Sequence, residues 1–282
     1  MTEPPKIKEI LLPLMSFPVP TQHGAVEAAV QVAKNLRASI SAIVLQMDIQ
    51  SPIELYPVHE SIPAADPSKS AAAAGGLFET FEVIAAGAGV QHDRTILPLR
   101  PAEIPGVVAQ EAHLYDICVL TLKDTDGIGQ VIAEQLIFGS GRPVLLLPDR
   151  GERGLSGALD NIAIAWDFSA PATRAVADAM PFLQRANRVR VVTVVDEKPI
   201  KRPISTADLA GYLRRRNVTA TLEEKKAGGQ AIGDVLHDYV AEHGIDLLVM
   251  GGYGHSRIRD FLLGGATKSV LTNPPTWTLI SH

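Results

Sequence analysis

Tyr115-Asp116-Ile117-Cys118-Val119-Leu120 and Ile245-Asp246-Leu247-Leu248-Val249-Met250 are one strand start written twice, and what surrounds them repeats as well. A period of this length makes the fold a duplication, so the two halves are read together. Ile7 to Pro13 and Leu159 to Ala165 are the opening strands. Ala/Val-rich helices follow over Gly24 to Leu36 and Ala172 to Arg185, then strands over Ile40 to Leu45 and Val189 to Val195. Third strands fit Asp93 to Leu97 and Val218 to Lys225, and helices fit Ala102 to His113 and Ala231 to His243. The halves close on Pro143 to Leu147 and Pro275 to Leu279.

Strands alternating with helices predict two α/β domains, each a doubly wound, mostly parallel sheet with right-handed crossovers and helices on both faces. The near-continuous apolar strands suit sheets covered on both sides. The charged, glycine-containing stretch from Asp149 to Gly157 reads as a linker, giving domains at 1–149 and 158–282. The halves differ most between Met47 and Ser70, rich in Pro, Ser and Asp, before a helical stretch over Ala71 to Ala86. The second half has a shorter connection, Glu197 to Pro203, and a helix from Thr206 to Arg216. The 47–70 insertion is a candidate lid or contact surface, weighed against an ordinary surface loop.

The run ending at Met250 opens into Gly251-Gly252-Tyr253-Gly254 and continues to Gly264-Gly265-Ala266-Thr267. Open α/β sheets bind ligands at the carboxyl ends of their strands. Glycines admit a ligand close to the backbone, and the N–H groups of a following helix start favour anions. Gly251, Gly254 and Gly264 are spaced G-x2-G-x9-G after a Met-Gly junction. This arrangement resembles the nucleotide-binding signature of the universal stress protein superfamily. Trp166-Asp167-Phe168-Ser169 after the opening strand of the second half is similar to that family's Val-Asp-x-Ser.

The resemblance implies strand order 3-2-1-4-5 in five-stranded sheets, a tandem chain that mimics the family's two-domain dimer, and ATP or a related adenine nucleotide as cofactor. It implies Asp167 beside the nucleoside, Val195 as an apolar wall, and Met250 and Gly251 at the pocket border. Gly254, Gly264, Gly265, Ala266 and Thr267 would face the phosphates. Arg257, Lys268 and His255 are further phosphate candidates by position, weighed against exposed helix charges and a solvent-exposed loop histidine. Gly265 stands where the pattern has Ser or Thr, and Thr267 is the substitute hydroxyl. One lost hydrogen bond to a charged group weakens binding by about 1.5 to 3 kcal/mol, ten- to a hundredfold. The resemblance also points to homodimerisation through last-strand edges, Pro143 to Leu147 and Thr276 to Ile280.

In the first half the aspartate's position falls at Leu14 or Met15, and the glycines fall near Thr121 and Asp124. Gly127 and Gly129 lack the x9 spacing, and Gly139-Ser140-Gly141 reads as a turn. This half is expected to support the fold and bind no nucleotide.

Three functional readings compete: a stress-response module binding adenine nucleotide in its second domain, an interaction protein of the same fold without nucleotide, and a nucleotide hydrolase or transferase. No G-x4-G-K-[Ser/Thr], G-x-S-x-G or H-E-x-x-H motif supports the third, so the expectation is no catalytic residue and at most a slow ATPase. No metal site of the protein's own is expected: His237 and His243 are not at helical i, i+4 spacing, and Asp124 and Asp126 lack a third ligand. Bound ATP could bring Mg2+ with it.

With 282 residues and 46% hydrophobic composition, two domains can each bury a core. A net charge of -5 and 5% aromatic residues argue against a nucleic-acid surface, and Arg214-Arg215-Arg216 and Lys225-Lys226 read as solvated faces. No uninterrupted run of ~18 apolar residues points to a membrane. The single cysteine, Cys118, forms no intrachain disulfide and reads as core. With no signal-peptide pattern at the amino terminus, the expected location is the cytoplasm, and protein partners stay unnamed.

Overall fold

The computed structural model describes residues 7–47, 53–55, 60–62, 67–122, 127–148, 159–195, 204–252 and 265–282. Contacts divide the chain into two compact units, Ile7–Gly157 and Ala158–His282.

The first unit runs β1 (Glu9–Met15), α1 (His23–Leu36), β2 (Ser39–Met47), β3 (Ile53–Leu55), β4 (Glu60–Ile62), α2 (Pro67–Ala88), β5 (His92–Leu99), α3 (Ile104–Glu111), β6 (Ile117–Leu122), α4 (Gly127–Gly139) and β7 (Val144–Pro148). Its main sheet is parallel in the order β5-β2-β1-β6-β7, which is 3-2-1-4-5 when the short strands β3 and β4 are left out. Those two form a separate antiparallel pair within the 47–70 insertion. The rest of 48–66 lies outside the described residues, and with it the choice between a lid, a contact surface and an ordinary loop.

The second unit runs β8 (Asn161–Ala165), α5 (Ala170–Asp178), α6 (Met180–Leu183), β9 (Arg188–Val195), α7 (Thr206–Arg214), β10 (Ala220–Lys226), α8 (Ile232–His243), β11 (Leu247–Gly251), α9 (Gly265–Thr272) and β12 (Trp277–Ser281). Its parallel order, β10-β9-β8-β11-β12, is again 3-2-1-4-5.

Every residue of β6, β7 and β12 is buried, as sheets covered on both faces require. Helices form where small apolar residues recur on one face. In α1, Ala25, Val26, Ala29, Val30, Ala33 and Leu36 are buried, and Arg37 ends the helix in the left-handed region (φ 57). By length and composition α2 is long and apolar enough to cross a membrane, although small and charged residues interrupt its apolar run. Its stripe Ala74, Leu77, Phe81 and Ala85 is buried and the helix packs on β2 and β5, so those apolar residues serve the sheet.

The single helix expected over 172–185 is two. Pro181 has no N–H for the preceding turn, so α5 closes at Asp178 and α6 starts afresh with the proline in its first turn. The first strand lies two residues later than expected. Its ladder with β6 holds Ile10 opposite Ile117 and Leu11 opposite Cys118 and stops before Pro13, which has no N–H to give.

The duplication has a structural marker at the start of each sheet. Asp116 Oδ2 accepts from the Lys8 and Glu9 backbone N–H groups at 2.7 and 3.1 Å. Asp246 Oδ2 accepts from Asp160 and Asn161 at 3.2 and 2.9 Å. Each carboxylate therefore fixes strand four against strand one, and Glu9 and Asn161 are equivalent positions.

Candidate functional site

In the second unit, connections from β8 lead outward through β9 and β10, whereas β11 leads through α9 to β12 on the other side. The order reverses between β8 and β11, whose register sets Ala165 opposite Met250. Loops diverge at such a switch point and leave a crevice beyond the strand ends.

Asp167 sits at that point, half-buried, two residues past β8. One carboxylate oxygen accepts from the Ser169 N–H at 2.9 Å. The turn this closes puts Phe168 at φ 64, a conformation a bulky residue seldom adopts. Ser169 then caps α5, its hydroxyl accepting from Ala172 N–H at 3.1 Å. Pro171 has no N–H, and Thr173 N–H already donates to the Ser169 carbonyl. The start of α5 is thus largely satisfied from within.

Gly251 has a different neighbour from the one its sequence context suggests. A Cβ there would stand 2.4 Å from the Ala172 nitrogen and 2.7 Å from the Pro171 carbonyl carbon. The missing side chain is filled by the first turn of α5, and the glycine lets helix and strand end meet. The sequence holds a signal for this contact, a glycine ending one strand and Pro171 two residues beyond Ser169, though only the fold shows that they meet.

Met250 is buried, and Val195 is half-buried at the end of β9, where its carbonyl accepts from Ala227 N–H. Gly265 is exposed at the start of α9, Ala266 is half-buried and Thr267 is buried at 4% exposure. Asp167, Met250 and Gly251 therefore share the β8/β11 edge, with Val195 one strand away. Gly254 and Gly264 lie outside the described residues, as do His255 and Arg257. Among the described residues, no group of three His, Cys, Asp or Glu is arranged to hold a metal.

The first unit is built differently at the equivalent edge. Six positions past Glu9 is Met15, as Asp167 is six past Asn161, so Met15 replaces the aspartate. The loop after it folds back on the strand: Thr21 N–H donates to the Met15 carbonyl at 2.8 Å and Met15 N–H donates to Thr21 Oγ1 at 2.9 Å. Ser16 Oγ donates to the Leu45 carbonyl at 2.7 Å, and Ser16 and Thr21 are buried. Thr121 occupies the position of Gly251. Between β6 and α4 only residues 123–126 intervene, against 252–264 between β11 and α9. The protein's own loop occupies the strand end, and the long glycine connection is missing.

Residues 158–282 match the model of the universal stress protein family. A universal stress protein from Archaeoglobus fulgidus superposes with TM-score 0.71 at 13% identity, over 98% of this chain and 96% of that one. A putative universal stress protein from Pseudomonas aeruginosa gives TM-score 0.59 at 14% identity, over 98% and 93%. No curated protein sequence matches the chain. The second half of the chain belongs to the universal stress protein family, and nearly the whole chain has the tandem two-domain fold of proteins described by that name.

Proposed function

We propose that the chain is a binding module of the stress-response type, whose second domain takes ATP or a related adenine nucleotide at the β8/β11 edge. The observation that carries this reading is Asp167, fixed by the Ser169 N–H at the point where the strand order reverses. On this reading its carboxylate faces the nucleoside and Val195 lines the base. The backbone of Gly254, Gly264, Gly265, Ala266 and Thr267 meets the phosphates, with Mg2+ carried by the nucleotide. The first domain has Met15 in place of the aspartate and a loop bonded into the strand end, which supports a structural role for that half. The protein then works by occupancy and contact rather than turnover, in the cytoplasm. A module of the same fold that binds no nucleotide is the competing reading, favoured by Gly265 in place of Ser or Thr.

Calorimetric titration of Mg-ATP into wild type, Asp167→Asn and Gly254→Val tests it. The asparagine keeps an acceptor for Ser169 N–H and removes the charge. Saturation near one equivalent, weakened in both variants, supports a single site in the second domain. No heat from wild type at millimolar ATP overturns the nucleotide reading and leaves the competing one.

A further inference from the structure

At the opposite, amino edge of the second domain, two connections meet that play no part in the nucleotide reading. One leads from α6 into β9, the other from α7 into β10. Gln184 Nε2 donates to the Arg216 carbonyl at 3.0 Å and ties the two turns together. The β9–β10 register, Val189 opposite Ala220, sets Arg188 next to Thr219. The exposed Arg185, Arg188, Arg214 and Arg215 therefore share one surface, with the half-buried Arg216 among them. Arg216 is held in place: its guanidinium lies 3.7 Å over the Tyr212 ring centroid and donates to the Tyr212 carbonyl.

Among the described residues, none of Arg185, Arg188, Arg214 and Arg215 has a carboxylate within ion-pair distance. Other arginines do: Arg94 pairs with Glu79 and Glu82, Arg174 with Asp178, and Arg190 with Glu223. A cation just past a helix is ordinarily explained by the carbonyls it faces. That accounts for one arginine at each helix end, but not for Arg188 at the start of a strand or for the bond from Gln184 that joins the two turns. The corresponding turns of the first unit, Arg37-Ala38 and Gly89-Val90-Gln91, hold one arginine between them, so the fold itself does not require the cluster.

We propose that this surface docks a short acidic segment, rich in Asp and Glu, of a partner protein. Guanidinium forks match carboxylates two bonds at a time, which ammonium groups do not. Arg216 covers one face of the half-buried Tyr212 ring, and neither connection carries an aromatic side chain of its own, so successive bases would find no stacking platform. No large apolar side chain among the described residues of either connection is exposed for entry into a bilayer. A long polyanion would also run onto a chain of net charge -5. A short segment feels only what lies within a Debye length of about 10 Å. A whole strand separates this surface from the β8/β11 edge, so both can be occupied together.

The test is fluorescence anisotropy of a labelled ten-residue Asp/Glu peptide titrated with the full chain at about 50 mM salt, where surface charges are screened less than at physiological ionic strength. One variant carries Arg185→Ser, Arg188→Ser, Arg214→Ser and Arg215→Ser; a second carries Lys at the same four positions. Wild type is expected to bind, the serine variant at least tenfold more weakly, about 1.4 kcal/mol. The lysine variant is expected to fall between them, since it keeps the charge and loses the forks. An unchanged melting curve for the serine variant excludes misfolding as the cause. Failure of wild type to bind, equal affinity in the serine variant, or tighter binding of a single-stranded oligonucleotide of the same charge would each overturn the proposal. None of these outcomes depends on whether nucleotide binds at the other edge.

Discussion

Gly251→Ala isolates the contact on which the second domain's edge is built. The new Cβ would stand 2.4 and 2.7 Å from backbone atoms of Ala172 and Pro171, so no side chain can swing aside to make room. Either the start of α5 or the end of β11 must move, and Ser169 and Asp167 move with the helix. Overpacking of this kind costs about 1 to 3 kcal/mol. In a domain of this size that lowers the melting temperature by about 4 to 12 °C. Scanning calorimetry of the full chain reads this, with the two domains analysed as separate transitions because a two-domain chain is not one cooperative unit. The second domain's transition should drop while the first domain's stays in place. An unchanged transition in Gly251→Ala would refute the packing argument. If nucleotide affinity were then lost without any change in melting, the glycine would be serving the ligand rather than the helix.

Three further outcomes are expected. Thr21→Val removes the acceptor for the buried Met15 N–H and should cost the first domain about 1 to 3 kcal/mol in urea denaturation, with the second domain unaffected. Burial pushes the Cys118 thiol well above its ordinary range, so a thiol reagent should leave native protein unlabelled and react only as the first domain unfolds. At α7, Asp208 accepts from the Ser205 backbone N–H and hydroxyl, which holds its carboxyl below the ordinary value. A carboxylate depressed in the folded state stabilises above its unfolded pKa, and that contribution disappears as pH falls through the folded one. The melting difference between wild type and Asp208→Ala should therefore be steady at neutral pH and shrink below about pH 4, the unfolded aspartate value; a gap independent of pH would count against the capping box.

The duplication was legible because buried parallel strands are continuous apolar runs, and Ile117 to Leu120 and Leu247 to Met250 are such runs. Strand order came with the family resemblance, since periodicity says nothing about which strands are neighbours. Element ends were misplaced at prolines: β1 runs through Pro13 to Met15 on its pairing with β2, and Pro181 splits a helix. Local sequence cannot show contacts made across the fold. Gly251 against Pro171 and Gln184 bonded to Arg216 each join residues distant in sequence. The run Arg214-Arg215-Arg216 read as a solvated face because its neighbours Arg185 and Arg188 belong to another turn. For the candidate site, Asp167 and the Met250-Gly251 junction were readable as motifs. That the first domain fills its own strand end was not, because the loop 16–22 carries no motif and acts through three hydrogen bonds made by Ser16 and Thr21.

The aspartate clamps that join strand one to strand four also measure what the insertion costs the chain. Asp116 reaches back 108 positions to Lys8, and Asp246 reaches back 86 to Asp160. The entropy of closing a loop grows only with the logarithm of its length, so the longer circuit of the first domain is dearer by about 0.2 kcal/mol. An insertion can therefore lengthen between β2 and α2 with almost no penalty from chain closure. Its sequence is free to be shaped by whatever meets it, because the thermodynamics of the sheet hardly register its presence.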